Sequence, residues 1–319
     1  MDNIGGMQRV AMKLHESLDA RAAETEDLEY DAVLLRSSWT WTHVKVVPFL
    51  LWTAGSIVRA ARRDEVDVVL FSSMVTATLT ALLGPFLRRH GVRTAAIVHG
   101  LDVTTPFGPY QWLVPKVFDA LDLVLPVSRA TGEACTRRGL DPHKREVVPN
   151  GIDLDRFRAP DARPVRHERL TRALGPLPDD ALLLCSVGRQ VERKGFAWFI
   201  DHVMPQLPPD VHYWLAGDGP ESERIQSTIH RQGLGDRVRL LGRISDADLA
   251  TLYRGADLFI MPNVPVDGDM EGFGVVMLEA GQCGTPAIAS RLEGIQDVIT
   301  EGVNGHLVEP ESAAAFTEA

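Results

Sequence analysis

Glu271 and Glu279 bracket the run Glu271-Gly272-Phe273-Gly274-Val275-Val276-Met277-Leu278-Glu279, and Arg189 and Lys194 stand upstream of it. Two carboxylates on one scaffold can accept hydrogen bonds from a polyhydroxylated ligand. An arginine can pair with phosphate oxygens two at a time, and a lysine adds a mobile point charge. Together these four groups suit a nucleotide sugar. Charge-assisted hydrogen bonds of this kind are worth roughly 1.5–3 kcal/mol each. Gly272 and Gly274 admit close approach of backbone to a ligand, and the apolar run from Val275 predicts a helix that begins there with its free N–H groups facing the ligand. Glu271 then falls in the loop before that helix and Glu279 about two turns along it, within reach of different parts of one extended molecule. Val276, Leu278 and Ala280 make the helix a buried one, in which an unpaired Glu279 would be costly. The plainer alternative for Arg189 and Lys194 is a pair of surface charges with Glu192 as partner.

The elements that must hold these residues read as two series of short apolar strands alternating with helices, the pattern of parallel sheets covered on both faces. Strands are expected at 31–35, 66–71, 93–98, 123–127 and 146–149, then at 182–187, 212–216, 238–241, 258–261, 286–289 and 306–308. The Arg- and Pro-rich stretch between the two series lacks strand character. The reading is therefore a first domain over 1–155, a linker over 156–178 and a second domain over 179–319. Ligands of such sheets bind beyond the carboxyl ends of the strands, which is where the motifs fall.

The Glu-x7-Glu element with Gly-Phe-Gly inside it resembles that of retaining glycosyltransferase family 4. The likeness continues through Gly5-Gly6, His99-Gly100, Val127-Ser128, Pro149-Asn150-Gly151-Ile152-Asp153, Gly188-Arg189 with Lys194-Gly195, Ala216-Gly217-Asp218-Gly219-Pro220 and Gly284-Thr285-Pro286. It implies an α/β chain of GT-B architecture, two Rossmann-like domains facing each other across a cleft. Arg189 and Lys194 would then grip the donor diphosphate, Glu279 the ribose and Glu271 the transferred sugar. Gly272, Phe273, Gly274 and Val275 would complete the donor loop, backbone near Arg243 and Ile244 would hold the base, and Gly5 and Gly6 would come up to the phosphates. His99 would contact the sugar near the reacting centre, so that His99 and Glu271 are the catalytic candidates. The resemblance further implies attack on the face from which the diphosphate departs, with no enzyme nucleophile, no metal and no cofactor beyond the sugar donor. Against the family's pattern both ends are expected to be incomplete: residues 1–4 are too few for a strand before the Gly-Gly loop, and the chain stops at 319 as a helix over 312–318 begins.

Composition narrows the alternatives. The 319 residues are 45% hydrophobic, enough for two cores, and carry a formal charge of −10 that falls entirely in the second half. No basic tract exists to neutralise a nucleic-acid backbone, so nucleic acid is excluded as a partner. Cys135, Cys185 and Cys283 are isolated and read as buried small side chains of a reduced, cytoplasmic protein. Asp267-Gly268-Asp269 has the form of a metal-binding Asp-x-Asp, but without partner ligands it reads as an exposed turn. The apolar stretch 44–58, interrupted by Lys45 and Pro48 and followed by Arg59, Arg62 and Arg63, is too short to span a bilayer. It reads as a helix packed on its own sheet, or, over 44–63, as a peripheral contact with the inner face of an anionic membrane. The acceptor is then a lipid-linked, polysaccharide or small molecule. Two rival readings are an epimerase acting on a nucleotide sugar and a catalytically silent scaffold at the membrane. A dinucleotide oxidoreductase is disfavoured because no strand ends in GxGxxG.

Overall fold

The computed structural model describes residues 6–35, 39–155, 157 and 163–319, and divides into two compact units, Met1–Gly151 and Ile152–Ala319. Each is a parallel α/β unit.

In the first unit, β1 (Val68–Phe71), β2 (Arg93–Val98) and β3 (Leu123–Pro126) lie side by side in that order, all parallel. Helices 74–77, 80–89 and 108–120 cover them, and Met74, Leu87, Val98, Val114, Phe118 and Val124 form the core between the layers. The expected strand 31–35 is not one: it pairs with no other strand among the described residues, and the Ala32 N–H donates to the Asp31 side chain instead. Apolar alternation alone does not make a strand, because a ladder needs a neighbour. The stretch 146–149 is likewise no full strand, yet the Glu146 and Val148 N–H groups donate to the Val124 and Pro126 carbonyls and extend the edge beside β3.

The long helix Trp39–Arg62 buries Thr53, Ile57 and Ala61, which recur every four residues, in the first-unit core. Its other face leaves Val47, Leu51 and Trp52 at 60%, 71% and 59% exposure. No helix among the described residues is long and apolar enough to cross a membrane.

The second unit holds β4 (Leu182–Val187), β5 (Val211–Ala216), β6 (Val238–Gly242), β7 (Leu258–Met261), β8 (Ala287–Ser290) and β9 (Gly305–Val308). Their order is β6-β5-β4-β7-β8-β9, all parallel, within a residue or so of the expected bounds. The chain winds one way from β4 to β6 and the other way from β7 to β9, so the switch point lies between β4 and β7. Tyr213, Trp214, Phe199 and Phe259 fill the core, and the Tyr213 hydroxyl donates to Ser186 Oγ at 2.8 Å. The stretch expected as linker contains the helix Arg163–Leu174, whose Leu170 is buried against Gly255, while the Phe157 ring meets Tyr253 edge-on. All three cysteines are free and buried, as their spacing implied.

Candidate functional site

The loops that follow β4 and β7 lie at the switch point of the second sheet and carry most of the singled-out residues. Gly195 stitches them together. It is left-handed at φ +65°, and its Cα faces the Pro262 carbonyl so closely that a Cβ could not be placed there. The Val264 N–H donates to the Arg193 carbonyl at 3.0 Å.

On that frame Lys194 Nζ meets Glu271 Oε2 at 2.6 Å, both side chains about nine-tenths buried. Burial drags the Lys194 ammonium below its ordinary value, against the pull of Glu271. Burial pushes the Glu271 carboxyl upward, but Lys194 and then Arg193 outweigh it and hold the acid below the usual range. Asn263 Nδ2 donates to the same Glu271 oxygen at 3.3 Å. Arg193 lies 3.7 Å from it and 3.3 Å from Asp269 Oδ1. The Glu271 N–H donates to the Glu293 carboxylate, and the Gly294 N–H donates to the Glu271 carbonyl at 3.2 Å.

The helix Val275–Gln282 begins where the glycines placed it, after Gly274 at φ +91°. Glu279 is its fifth residue, nearer its start than the two turns expected, and is buried with the Tyr253 hydroxyl donating to it at 2.9 Å. Phe273 is buried at 5% exposure, so its ring serves packing and only its backbone is offered to the loop surface. Arg189 is exposed, in a loop anchored by the Gln190 N–H on the Asp218 carbonyl at 2.8 Å and by Gln190 Nε2 on the Gly217 carbonyl at 2.9 Å. Arg243 pairs with Asp218 at 2.7 Å beyond the ends of β5 and β6, and Ile244 beside it is half-buried. Glu192 is not the partner of Lys194; the ion pair reaches across to the next loop instead. Asp267–Asp269 does form a turn, closed by the Asp269 N–H on the Val266 carbonyl, but the expectation of a merely exposed turn fails at Asp269, which Arg193 holds. No group of three or more metal-ligating side chains occurs among the described residues.

In the first unit, His99 follows β2 and is buried at 6% exposure. Its ring bonds to the Ser72 backbone, and Nε2 has no hydrogen-bond partner. Burial, partly offset by the Ser72 backbone, pushes the imidazole down to about 4, so it is neutral near pH 7. Asp102 accepts the Met74 and His99 N–H groups, each at 3.3 Å, and burial raises its carboxyl to about 6 against those bonds. Asp102 also lines a cavity of about 410 Å³ with Val75, Thr105, Phe107, Tyr110 and Leu113, at the carboxyl edge of the first sheet. Gly6 opens the helix Gly6–Glu24 with open space where a Cβ would stand, and Gly5 lies outside the described residues.

The fold therefore brings Lys194, Glu271 and the 272–275 loop together, with Glu279 one helical turn beyond. Sequence reasoning missed Arg193, Asn263, Tyr253 and Glu293. Arg193 adjoins Lys194, but the others lie in separate segments, and no local signal joins them to Glu271 or Glu279.

A family model described as Glycosyltransferase Family 4 matches residues 4–156, and one described as Glycosyl transferases group 1 matches residues 181–319. The GDP-mannose-dependent alpha-(1-6)-phosphatidylinositol monomannoside mannosyltransferase of Mycolicibacterium smegmatis is 31% identical over 83% of this chain and 69% of its own length. The D-inositol 3-phosphate glycosyltransferase of Xylanimonas cellulosilytica is 32% identical over 98% of this chain and 82% of its own. Against several further relatives the chain spans only 55% to 58% of their length. Among solved structures, Anabaena HepE in complex with UDP-glucose superposes with a TM-score of 0.73 at 21% identity, over the whole of this chain and 86% of that one.

Proposed function

The chain belongs to glycosyltransferase family 4 and is a glycosyltransferase of GT-B fold, and from that premise we propose that it moves a hexose from a nucleoside-diphosphate sugar to an acceptor hydroxyl with retention of configuration and without a metal ion. The observation that carries the reading is the buried Lys194–Glu271 pair at the switch point, beside the start of the helix Val275–Gln282.

Transfer requires that charge on the departing diphosphate be stabilised while positive charge grows at the anomeric carbon. Lys194 has three N–H donors and can hold Glu271 with one and a phosphate oxygen with another. Arg189 would clamp the diphosphate from the exposed side of the same loop, and the N–H groups at Gly274 and Val275 add the positive end of a helix dipole. With those cations in place the leaving group is neutralised by the protein. Glu271, kept ionised by Lys194 and Arg193, would accept hydrogen bonds from the sugar hydroxyls, and Glu279, oriented by Tyr253, from the ribose. Backbone at Arg243 and Ile244 would meet the base. Retention follows if the acceptor attacks the face that the diphosphate leaves and passes its proton to the diphosphate.

On the first unit, neutral His99 would accept a hydrogen bond at Nε2 from a sugar hydroxyl and orient it; its depressed basicity makes a cationic role there unfavourable. The cavity beside it has apolar walls and a single carboxyl, which favours an acceptor that joins a hydroxylated head to an apolar part, such as a lipid-linked polyol.

A thermal-shift panel of UDP-, GDP- and ADP-sugars, run with and without chelator, tests this. One nucleotide class should raise the melting temperature by several degrees, equally with chelator, and Arg189→Ala should remove most of that rise. A folded chain that responds to none, or a response abolished by chelator, overturns the reading or its metal-free form respectively.

A further inference from the structure

Glu293 follows the end of β8 with φ +44°, in the left-handed region that side chains other than glycine and asparagine rarely occupy. It is firmly placed. The Arg291 N–H donates to the Val308 carbonyl at 2.7 Å, the Leu292 N–H to Ser290 at 2.8 Å, and the Ile295 N–H to Leu292 at 3.0 Å. Its neighbour Gly294 packs against the Gly272 carbonyl so closely that no Cβ would fit, so the backbone here is pressed against the loop that carries Glu271. Glycine at 293 would meet this conformation without penalty. A glutamate held there calls for a task that its side chain performs, and strained residues of this kind gather at functional sites.

The task is visible in the contacts. The Glu293 carboxylate accepts the Glu271 N–H, while the Gly294 N–H donates to the Glu271 carbonyl at 3.2 Å, so the peptide groups on both sides of Glu271 are gripped by one short segment. Arg193 and Asp269 sit close enough to act on Glu293 electrostatically, and burial lifts its carboxyl above the usual range against the Glu271 N–H. Lys194, Asn263 and Arg193 thus aim the Glu271 side chain, and Glu293 and Gly294 hold its backbone.

We propose that Glu293 is a positioning residue of the transfer reaction, a strained anchor that fixes the Glu271 backbone so that its carboxylate meets the sugar at a constant distance from the diphosphate-binding Lys194. The proposal rests on the donor-site reading above. Nucleotide binding should not depend on it, because Arg189 and Glu279 are held by other contacts.

The test is steady-state kinetics of the full chain and of Glu293→Gly and Glu293→Gln, using whichever UDP-, GDP- or ADP-sugar is turned over, with calorimetric binding of the matching nucleoside diphosphate and a thermal melt. Glu293→Gly relieves the backbone and removes the anchor. It should lower kcat tenfold or more, leave nucleoside-diphosphate affinity within twofold and leave the melting temperature within a few degrees. Glu293→Gln keeps an acceptor oxygen for the Glu271 N–H and should recover at least a third of the parent kcat. An active parent whose Glu293→Gly variant keeps kcat within twofold overturns the proposal alone. So does a loss of kcat matched by equal losses of affinity and melting temperature, or a Gln variant no better than Gly. A parent that transfers sugar from none of the three donor classes overturns the donor-site reading, and the proposal with it.

Discussion

His99 and Asp102 titrate against each other. Folded His99 takes a proton only near 4, whereas its ordinary value is 6.5, so its contribution to stability is full above 6.5 and is lost as pH falls toward 4. Folded Asp102 keeps its proton up to about 6 against an ordinary 3.8, so its contribution is full below 3.8 and is lost as pH rises toward 6. Each shift of two units or more corresponds to about 3 kcal/mol, and over the shared window the two nearly cancel. Asp102→Asn should unmask the histidine: relative to the parent, the variant should lose about 3 kcal/mol between pH 6.5 and 4 in denaturant unfolding. A difference that stays flat would place the Asp102 carboxyl at its ordinary acidity, whereas a variant whose own stability stays flat between pH 6.5 and 4 would place the imidazole at its ordinary basicity and return a cationic role to His99. The candidate donor-site residues could be nominated from the sequence because each kind of chemistry restricts the side chains that can perform it, and the fold brings Lys194 and Glu271 together. Glu293, Asn263 and Tyr253 were not legible, because their roles depend on loops meeting across segments far apart in the chain.

Among elements, the junction of the loops after β4 and β7 decides whether the site exists. Lys194 and Glu271 come from different loops, and Gly195 is where those loops touch. Gly195→Ala would force a methyl group onto the Pro262 carbonyl and hold alanine at φ +65°. The left-handed backbone costs an L-residue about 1–2 kcal/mol and displacement of a packed loop adds to it. A loss of about 3 kcal/mol in denaturant unfolding is expected, with nucleotide binding weakened at temperatures where the variant is folded. Full affinity in a folded variant would mean that the Lys194–Glu271 pair does not depend on this junction. Strand placement in the second unit was legible because its strands are buried runs of apolar residues, and such runs are informative wherever both sheet faces are covered. The stretch 31–35 carries a similar pattern but makes no ladder, since strand pairing is a property of two segments.

At the scale of the whole molecule, the helix Trp39–Arg62 joins a buried face to an exposed one that carries Val47, Leu51 and Trp52, with Arg59 and Arg62 exposed in its last turns. That combination suits the interface of an anionic bilayer, where Trp sits at headgroup depth and each arginine near the surface adds about 1 kcal/mol. Anionic vesicles should sediment the chain at low salt. Trp52→Glu should reduce the bound fraction severalfold without altering the melt, since Trp52 is 59% exposed. Equal sedimentation of the variant would mean that this face does not meet lipid. A membrane contact of this sort would agree with an acceptor whose hydroxyl is tethered to lipid.

The sequence by itself determined the family and the parallel α/β class of both units, and it nominated Lys194, Glu271 and Glu279 as a candidate set, because apolar periodicity, glycine placement and charged side chains are local properties. The tertiary structure alone decided that Lys194 pairs with Glu271 rather than Glu192, that Asp269 answers to Arg193, that Phe273 is core, and that a strained Glu293 holds the Glu271 backbone. Those outcomes are set by which loops the strand order β6-β5-β4-β7-β8-β9 brings to one switch point, and by burial, which turns a weak surface attraction into a close ion pair.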